Sequence, residues 1–300
     1  MLRPSTSKKV YRKVCKTLLV DSRDRNPLQT QSSYSVTLPK TYESVYSVTL
    51  RSAEIPKSWY GFSAAAGNTS ISVTVSGPTT KTITIPDGNY TGTTLAAALQ
   101  AALVNASTGF GAGTFTVAYS TTTGLITITK ATGDFTLNLA SQTQTKAGQV
   151  VPSTATWWGL GYFLGFNKID YTSSSSSLSG VFATQVEPFN YILMELDFIN
   201  KEDETAIDNR MSGRVDGAFA KIPTIPASSG NIIYYRDWCC PMNKSVMYPP
   251  LSQLRTLNIK FRFHDGTLIN FNNAEHSLTL EFELLESNFD EYSSLELAPL

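Results

Sequence analysis

Apolar and polar residues alternate with a period of two through much of this chain, and the first clear runs set the frame for the rest. Tyr34, Val36 and Leu38 alternate with Ser35, Thr37 and Pro39; Tyr46, Val48 and Leu50 alternate with Ser47, Thr49 and Arg51. Each run offers one apolar face to a core, which predicts two half-buried strands. Beyond Leu50 the apolar phase slips by one residue, because Ala53 and Ile55 take the parity that Arg51 held. One extra residue near Arg51 and Ser52 would re-aim the strand as a β-bulge does. Pro56 then ends the pairing. Ahead of these runs, a short apolar strand at 17–20 leads into Asp21-Ser-Arg-Asp-Arg-Asn-Pro, whose charges and turn formers suit a sharp surface turn.

After residue 62 the composition shifts to Ser, Thr, Gly and Ala until about residues 173–177. Ile71, Val73 and Val75, then Gly77-Pro78, then Ile83 and Ile85 predict a hairpin. The stretch from Thr93 to Val104 is rich in strong helix formers, has Thr91 or Thr93 available as N-cap, and puts Leu95, Leu99 and Leu103 on one stripe. Strands resume at Phe115, Val117 and Tyr119, at Ile126 and Ile128, and at Phe135, Leu137 and Leu139. Together they predict an α+β unit in which one helix covers one sheet. Trp157-Trp158-Gly-Leu-Gly-Tyr-Phe-Leu-Gly-Phe is the strongest apolar cluster. It reads either as core, within this unit or at its seam, or as an exposed contact patch.

Strand patterning returns from Val181. Ile192, Met194, Leu196 and Phe198 share one face; Ile232, Ile233, Tyr234 and Tyr235 read as a short buried run. Pro249-Pro250 breaks the chain before a hairpin in which Leu257, Ile259, Phe261 and Phe263 alternate into His264-Asp-Gly-Thr. A last strand carries Leu278, Leu280, Phe282 and Leu284. Short strands without helices between them argue for an antiparallel sandwich.

Several of these stretches carry a resemblance. V-D-S-R-D-R-N at 20–26, Y-S-V-T-L-P at 34–39, V-Y-S-V-T-L-R-S-A-E-I-P at 45–56 and the pair Trp59-Tyr60 resemble the opening of a capsid family. T-I-T-I-P-D-G-N-Y-T-G-T-T-L-A-A-A-L at 82–99 and L-R-T-L-N-I-K-F-R-F-H-D-G-T-L-I-N-F at 254–271 extend it. The family is the minor capsid and penton-type jelly-roll proteins of large eukaryotic double-stranded DNA viruses. The resemblance implies a mainly β fold: a single jelly-roll antiparallel β-sandwich at 17–65 and 173–287, interrupted by a small inserted α+β domain at 66–172 carrying one helix. It also implies a structural role in the virion capsid after synthesis in the host cytoplasm. The implied partners are the major capsid protein, other capsid proteins and further copies of the chain, five of them if it is a penton.

Charge adds one feature. The 24 basic and 24 acidic residues balance, so no global field draws in nucleic acid, and no apolar run is long enough to span a bilayer as a helix. The ends are uneven: Arg3, Lys8, Lys9, Arg12, Lys13 and Lys16 make a basic arm at 1–16. Glu281, Glu283, Glu286, Asp290, Glu291 and Glu296 crowd the other end, where an acidic tail is expected at 288–300. The arm reads either as a dock for an acidic neighbour or packaged genome, or as a solvated terminus. Its six bases, with Trp157 and Trp158, are the candidate assembly contacts.

No catalytic constellation emerges. His264 beside Asp265 and His276 beside Glu275 would have to converge to hold a metal, and turn polarity explains them more simply. Cys15 and the adjacent Cys239 and Cys240 fit neither a disulfide framework nor a zinc knuckle, and read as reduced thiols. Asp87-Gly-Asn-Tyr-Thr-Gly lacks the lysine of a phosphate loop. The expectation is therefore no enzyme, cofactor or metal. The alternative is a carbohydrate- or receptor-binding β module displaying Trp157, Trp158 and Tyr162; a hydrolase, lacking a triad, stands third.

Overall fold

The alternating runs form strands, and the protein is mainly β with antiparallel pairing. The structure is a computed structural model that describes residues 11–141, 145–146, 149–150, 158–197, 218–224, 231–236, 243–264 and 266–287. In chain order β1 (Tyr11–Asp21) and β2 (Ser33–Pro56) come first. Then follow β3 (Ser70–Val75), β4 (Thr79–Thr84), α1 (Gly92–Leu103), β5 (Phe115–Tyr119), β6 (Ile126–Lys130), β7 (Phe135–Leu137), β8 (Thr145–Lys146), β9 (Gln149–Val150), α2 (Leu160–Phe163), β10 (Tyr171–Thr172) and β11 (Ser177–Ser179). The chain continues with β12 (Tyr191–Leu196), β13 (Ala220–Pro223), β14 (Ile232–Arg236), β15 (Lys244–Arg262) and β16 (Ser277–Ser287). Two compact units divide it: residues 1–59 with 190–300, and residues 60–189.

In the first unit the sheet order is β1-β16-β2-β15-β12-β13, with β14 also on β2. The two expected strands at 34–38 and 46–56 are one continuous strand, β2, of 24 residues. Strand β15 is likewise long, and the two pair in two stretches separated by register shifts, so each contributes twice. β1, β16, the later half of β2 and the start of β15 make one four-stranded half; the early half of β2, the rest of β15, β12 and β13 make the other. Eight strand segments in two four-stranded antiparallel layers is the jelly-roll arrangement. Ser44, at φ +49°, lies where β2 bends between the halves. The inward residues bury one core, including Val20, Leu50, Leu280 and Phe282 from the first half and Leu38, Ile192, Ile259 and Phe261 from the second.

The expected bulge is present: Thr279 pairs with Ser52 and Leu280 with Leu50, so Arg51 is the extra residue. Three readings need correction. Pro249 and Pro250 do not break the chain; they fall inside β15, in the register gap between Val246 and Leu251 where no ladder N–H is required. The run 232–235 is not buried throughout: Ile233 is, but Ile232 and Tyr234 face outward from the edge strand β14. The N-terminal strand is not confined to 17–20, because β1 pairs with β16 from Tyr11 to Asp21. Residues 11–16, expected to belong to a free arm, are thus part of the sheet.

Among the described residues the second unit has three small sheets where one was expected, in the orders β10-β7-β3-β4, β11-β6-β5 and β8-β9. Hairpins β3/β4 and β5/β6 supply most of its pairing, and Gly77 at φ +101° makes the first turn. Helix α1 starts at the cap Thr91, whose Oγ1 accepts from the Thr94 N–H (3.2 Å) while Thr94 Oγ1 accepts from the Thr91 N–H (2.8 Å). Leu95, Leu99 and Leu103 then bury against residues of the first two sheets in one core with Ile71, Ile83, Phe115, Ile128 and Phe135. The core also takes Phe62 and packs Leu178 and Val186, which lie outside the expected 66–172.

Candidate functional site

The two histidines do not converge. His276, the residue just before β16, is only 3% exposed, with Nε2 at 2.9 Å from the Tyr34 hydroxyl and Phe261 and Phe271 against its ring. Burial pushes it down to about 4, so it is neutral near pH 7. His264 meets the Tyr191 hydroxyl through Nδ1 at 2.6 Å, and burial followed by the Lys221 charge holds it below its ordinary value. Among the described residues no group of three or more His, Cys, Asp or Glu side chains could hold a metal. Asp265, Cys239 and Cys240 lie outside the described residues. Cys15 is free and exposed on β1. Thr91, ahead of α1, acts as its cap.

Of the candidate contacts, Arg3, Lys8, Lys9 and Trp157 lie outside the described residues. Trp158 is 5% exposed and belongs to the second unit's core with Leu160, Phe163 and Phe166, so it cannot be a surface contact. Arg12, Lys13 and Lys16 stand on β1, opposite Glu286, Leu285 and Phe282 of the same chain. The acidic strand β16 therefore meets the basic residues within one molecule.

Glu283 is the centre of that meeting. It accepts from Ser47 Oγ at 2.6 Å and Lys244 Nζ at 3.1 Å, and Lys13 Nζ lies 3.8 Å away, also above the Tyr46 ring. The Ser47 hydrogen bond first, and then Lys244, hold its carboxyl below the ordinary range despite partial burial. Arg51, the bulge residue, reaches Glu281 at 2.6 Å. Ser47 and Thr49, expected to face water, are buried. On the other half, Arg262 Nε donates to the buried Glu195 at 3.1 Å, and Lys260 lies 3.3 Å from Asp197.

The charged turn after β1 is only partly self-contained. Asp21 holds Arg23 through Nε (2.9 Å) and a second nitrogen (2.5 Å), which brings its carboxyl down to about 2. Arg25 instead reaches Glu275, 250 residues away, at 2.6 Å, where Ser22 Oγ also donates at 2.5 Å. Burial raises Glu275, but the bonds from Arg25, Ser22 and Gln31 outweigh it and the net shift is downward.

Beside this turn lies a site the sequence did not reveal. Asp21, Ser277, Glu54 and Tyr234 are successive partners across β1, β16, β2 and β14. At this row a pocket of about 410 Å³ opens, lined among others by Asp21, Glu54, Pro56, Ile232, Glu275 and His276. Its walls come from four separated segments, and no local motif joins them. The one signal available was the parity of Asp21 and Glu54 on the polar faces of their strands.

No family model and no curated protein matches the sequence. Among solved structures 21 chains match. One is the penton protein of mavirus, solved in selenomethionine-labelled form: it is 12% identical, with a TM-score of 0.48 over 93% of this chain and 100% of that one.

Proposed function

We propose that this chain is a structural component of an icosahedral virus capsid, a penton or minor capsid protein, which assembles with copies of itself and with the major capsid protein. The observation that carries the reading is the pairing of the capsid-like sequence stretches with a two-layer jelly roll: 20–26, 34–39, 45–56 and 254–271 fall on the turn after β1 and on β2 and β15, the strands that run through both layers. A fold alone does not fix a role, since jelly rolls also serve lectins and other binders. The carbohydrate- or receptor-binding alternative loses one of its supports with the burial of Trp158.

Location of the chain in a density map of purified particles is the test. A position on the fivefold axis supports the penton role, and one between or beneath major capsid capsomers supports the minor role. Absence from the particle shell overturns the proposal, as does tight glycan binding by a chain that never enters particles.

A further inference from the structure

The pocket at the top of β1 and β2 has an unbalanced charge. Three carboxylates, Asp21, Glu54 and Glu275, and one cation, Arg23, line it. Asp21 is paired with Arg23 and Glu275 with Arg25. Among the described residues Glu54 accepts only from the Ser277 hydroxyl, at 2.7 Å, and meets no cation. Next to this carboxylate the wall is apolar: Pro56, and Ile232, which is 65% exposed on the edge strand β14. A third oddity is that the buried His276 lines the same pocket and its Nδ1 has no hydrogen-bond partner. An unpaired carboxylate, an exposed aliphatic side chain and an unsatisfied buried polar atom in one concavity describe a surface built to be covered.

We propose that the pocket receives the basic N-terminal segment, residues 1–10, of a second copy of the chain, with Leu2 against Ile232 and Pro56 and the Arg3 guanidinium on Glu54. Two arguments choose this occupant. The first is chemistry: Met-Leu-Arg-Pro-Ser-Thr-Ser-Lys-Lys-Val offers an apolar side chain next to an arginine, followed by hydroxyls and two lysines, and carries no acid. Arginine suits a carboxylate at the edge of an apolar wall because its planar fork can bond it twice and is weakly hydrated.

The second argument is reach. Strand β1 starts at Tyr11, and the pocket lies at its other end, beside Asp21. At about 3.3 Å per residue the ten steps between them span roughly 33 Å. Arg3 precedes Tyr11 by eight residues, at most about 29 Å of extended chain, and reversing direction uses part of that. A chain's own Arg3 would have to run back along β1 with nearly its whole length extended to reach its own pocket, a constraint that does not bind the arm of a neighbour. The contact runs arm into pocket, so it closes as a reciprocal pair or a ring, or propagates as an extended array. This docking rests on the assembly reading above.

The test uses the full chain in sedimentation velocity across a concentration and salt series. Arg3→Glu, which lies ahead of the first strand, should weaken self-association about tenfold at low salt, and Glu54→Arg should do the same. The double variant, which restores the opposite charges in exchanged places, should recover most of the loss, as a direct contact requires. Melting temperatures of the variants verify that the fold is intact. The docking is overturned if the unaltered chain stays monomeric throughout, if Arg3→Glu associates normally, or if the double variant is as weak as the two single changes combined. A chain that is found in particles but associates without regard to Arg3 and Glu54 loses the docking and keeps the capsid role; absence from particles removes the role itself.

Discussion

The two units hold themselves together in different ways. In residues 60–189 the partners are near in sequence: β3 pairs with β4 across a three-residue turn and β5 with β6 across a short loop. A capped helix supplies the stripe that completes a buried apolar core. In the other unit the ends of the chain pair with each other, Tyr11 with Ser287 and Asp21 with Ser277, and the outer face of that sheet is laced with ion pairs centred on Glu283. Local pairing closes short loops first and is read easily from sequence; pairing between ends requires the whole chain to be in place. The second unit should therefore keep its fold when the first is disrupted, whereas the first should depend on its N-terminal strand β1.

Deletions give the largest contrast. Removing residues 11–21 strips buried Leu18 and Val20, each worth about 1.5–3 kcal/mol, and uncovers the whole inner edge of β16. Set against a net stability of about 5–15 kcal/mol for a domain, this should abolish the cooperative unfolding of the first unit while the second keeps its own transition. Removing residues 1–10 should leave both melting transitions in place. Conversely, replacing 60–189 by a short Gly/Ser bridge should leave one cooperative transition, whereas cutting at 66–172 strands Phe62, Leu178 and Val186 without their core and should give aggregation. Equal behaviour of the two cuts in calorimetry would show that the unit boundary has no energetic meaning.

What the sequence disclosed follows the same division. The helix was legible because Thr91, Thr94 and the leucines at 95, 99 and 103 are local signals, and the bulge was legible because the apolar phase visibly slips at Arg51. The first half of β1 was not, because Tyr-Arg-Lys-Val-Cys-Lys has no buried face of its own and is a strand only through its partner β16. Pro249 and Pro250 looked like a break because the sequence does not show that a register gap needs no N–H there. Ile232 and Tyr234 read as core because an edge strand with apolar side chains looks like a buried one. The pocket required four segments to be brought together, so only topology could reveal it.

Acid should separate the units next. His276 has an ordinary value of 6.5 and about 4 when folded, so the unfolded chain takes up its proton first. Stability is then present above pH 6.5 and lost as pH falls toward 4, by about 3 kcal/mol over that window. The lowered carboxyls Glu275 and Glu283 lose their contribution as pH falls below their ordinary 4.5, and Asp21 loses its own between 3.8 and about 2. The second unit has no histidine, so its melting temperature should stay flat from pH 7 to 5 while that of the first unit falls. His276→Leu should remove most of the slope, and an unchanged slope in that variant would place the titration elsewhere. Thr91→Ala should have the reverse selectivity, costing the second unit about 1 kcal/mol through its lost helix cap and leaving the first unfolding transition where it was.

The smallest effect expected is the one that bears most directly on the basic end of the chain. Lys13 is 54% exposed on its side chain and sits 3.8 Å from Glu283, which keeps Lys244 at 3.1 Å and the Ser47 hydroxyl at 2.6 Å when Lys13 is gone. An exposed ion pair of this kind contributes roughly 0–1 kcal/mol and is screened by salt. Lys13→Ala should therefore destabilise the first unit by about 0.5 kcal/mol at low salt and by less at 0.5 M, as read from urea midpoints. Lys244→Ala, removing the closer and more buried partner, should cost about twice as much. Neither change should alter self-association, because both lysines are engaged within their own chain, in contrast to Arg3. If Lys13→Ala instead leaves the urea midpoint unchanged and weakens association as Arg3→Glu does, then Lys13 serves a neighbouring molecule and the pairing of the two ends is held by its backbone ladder alone.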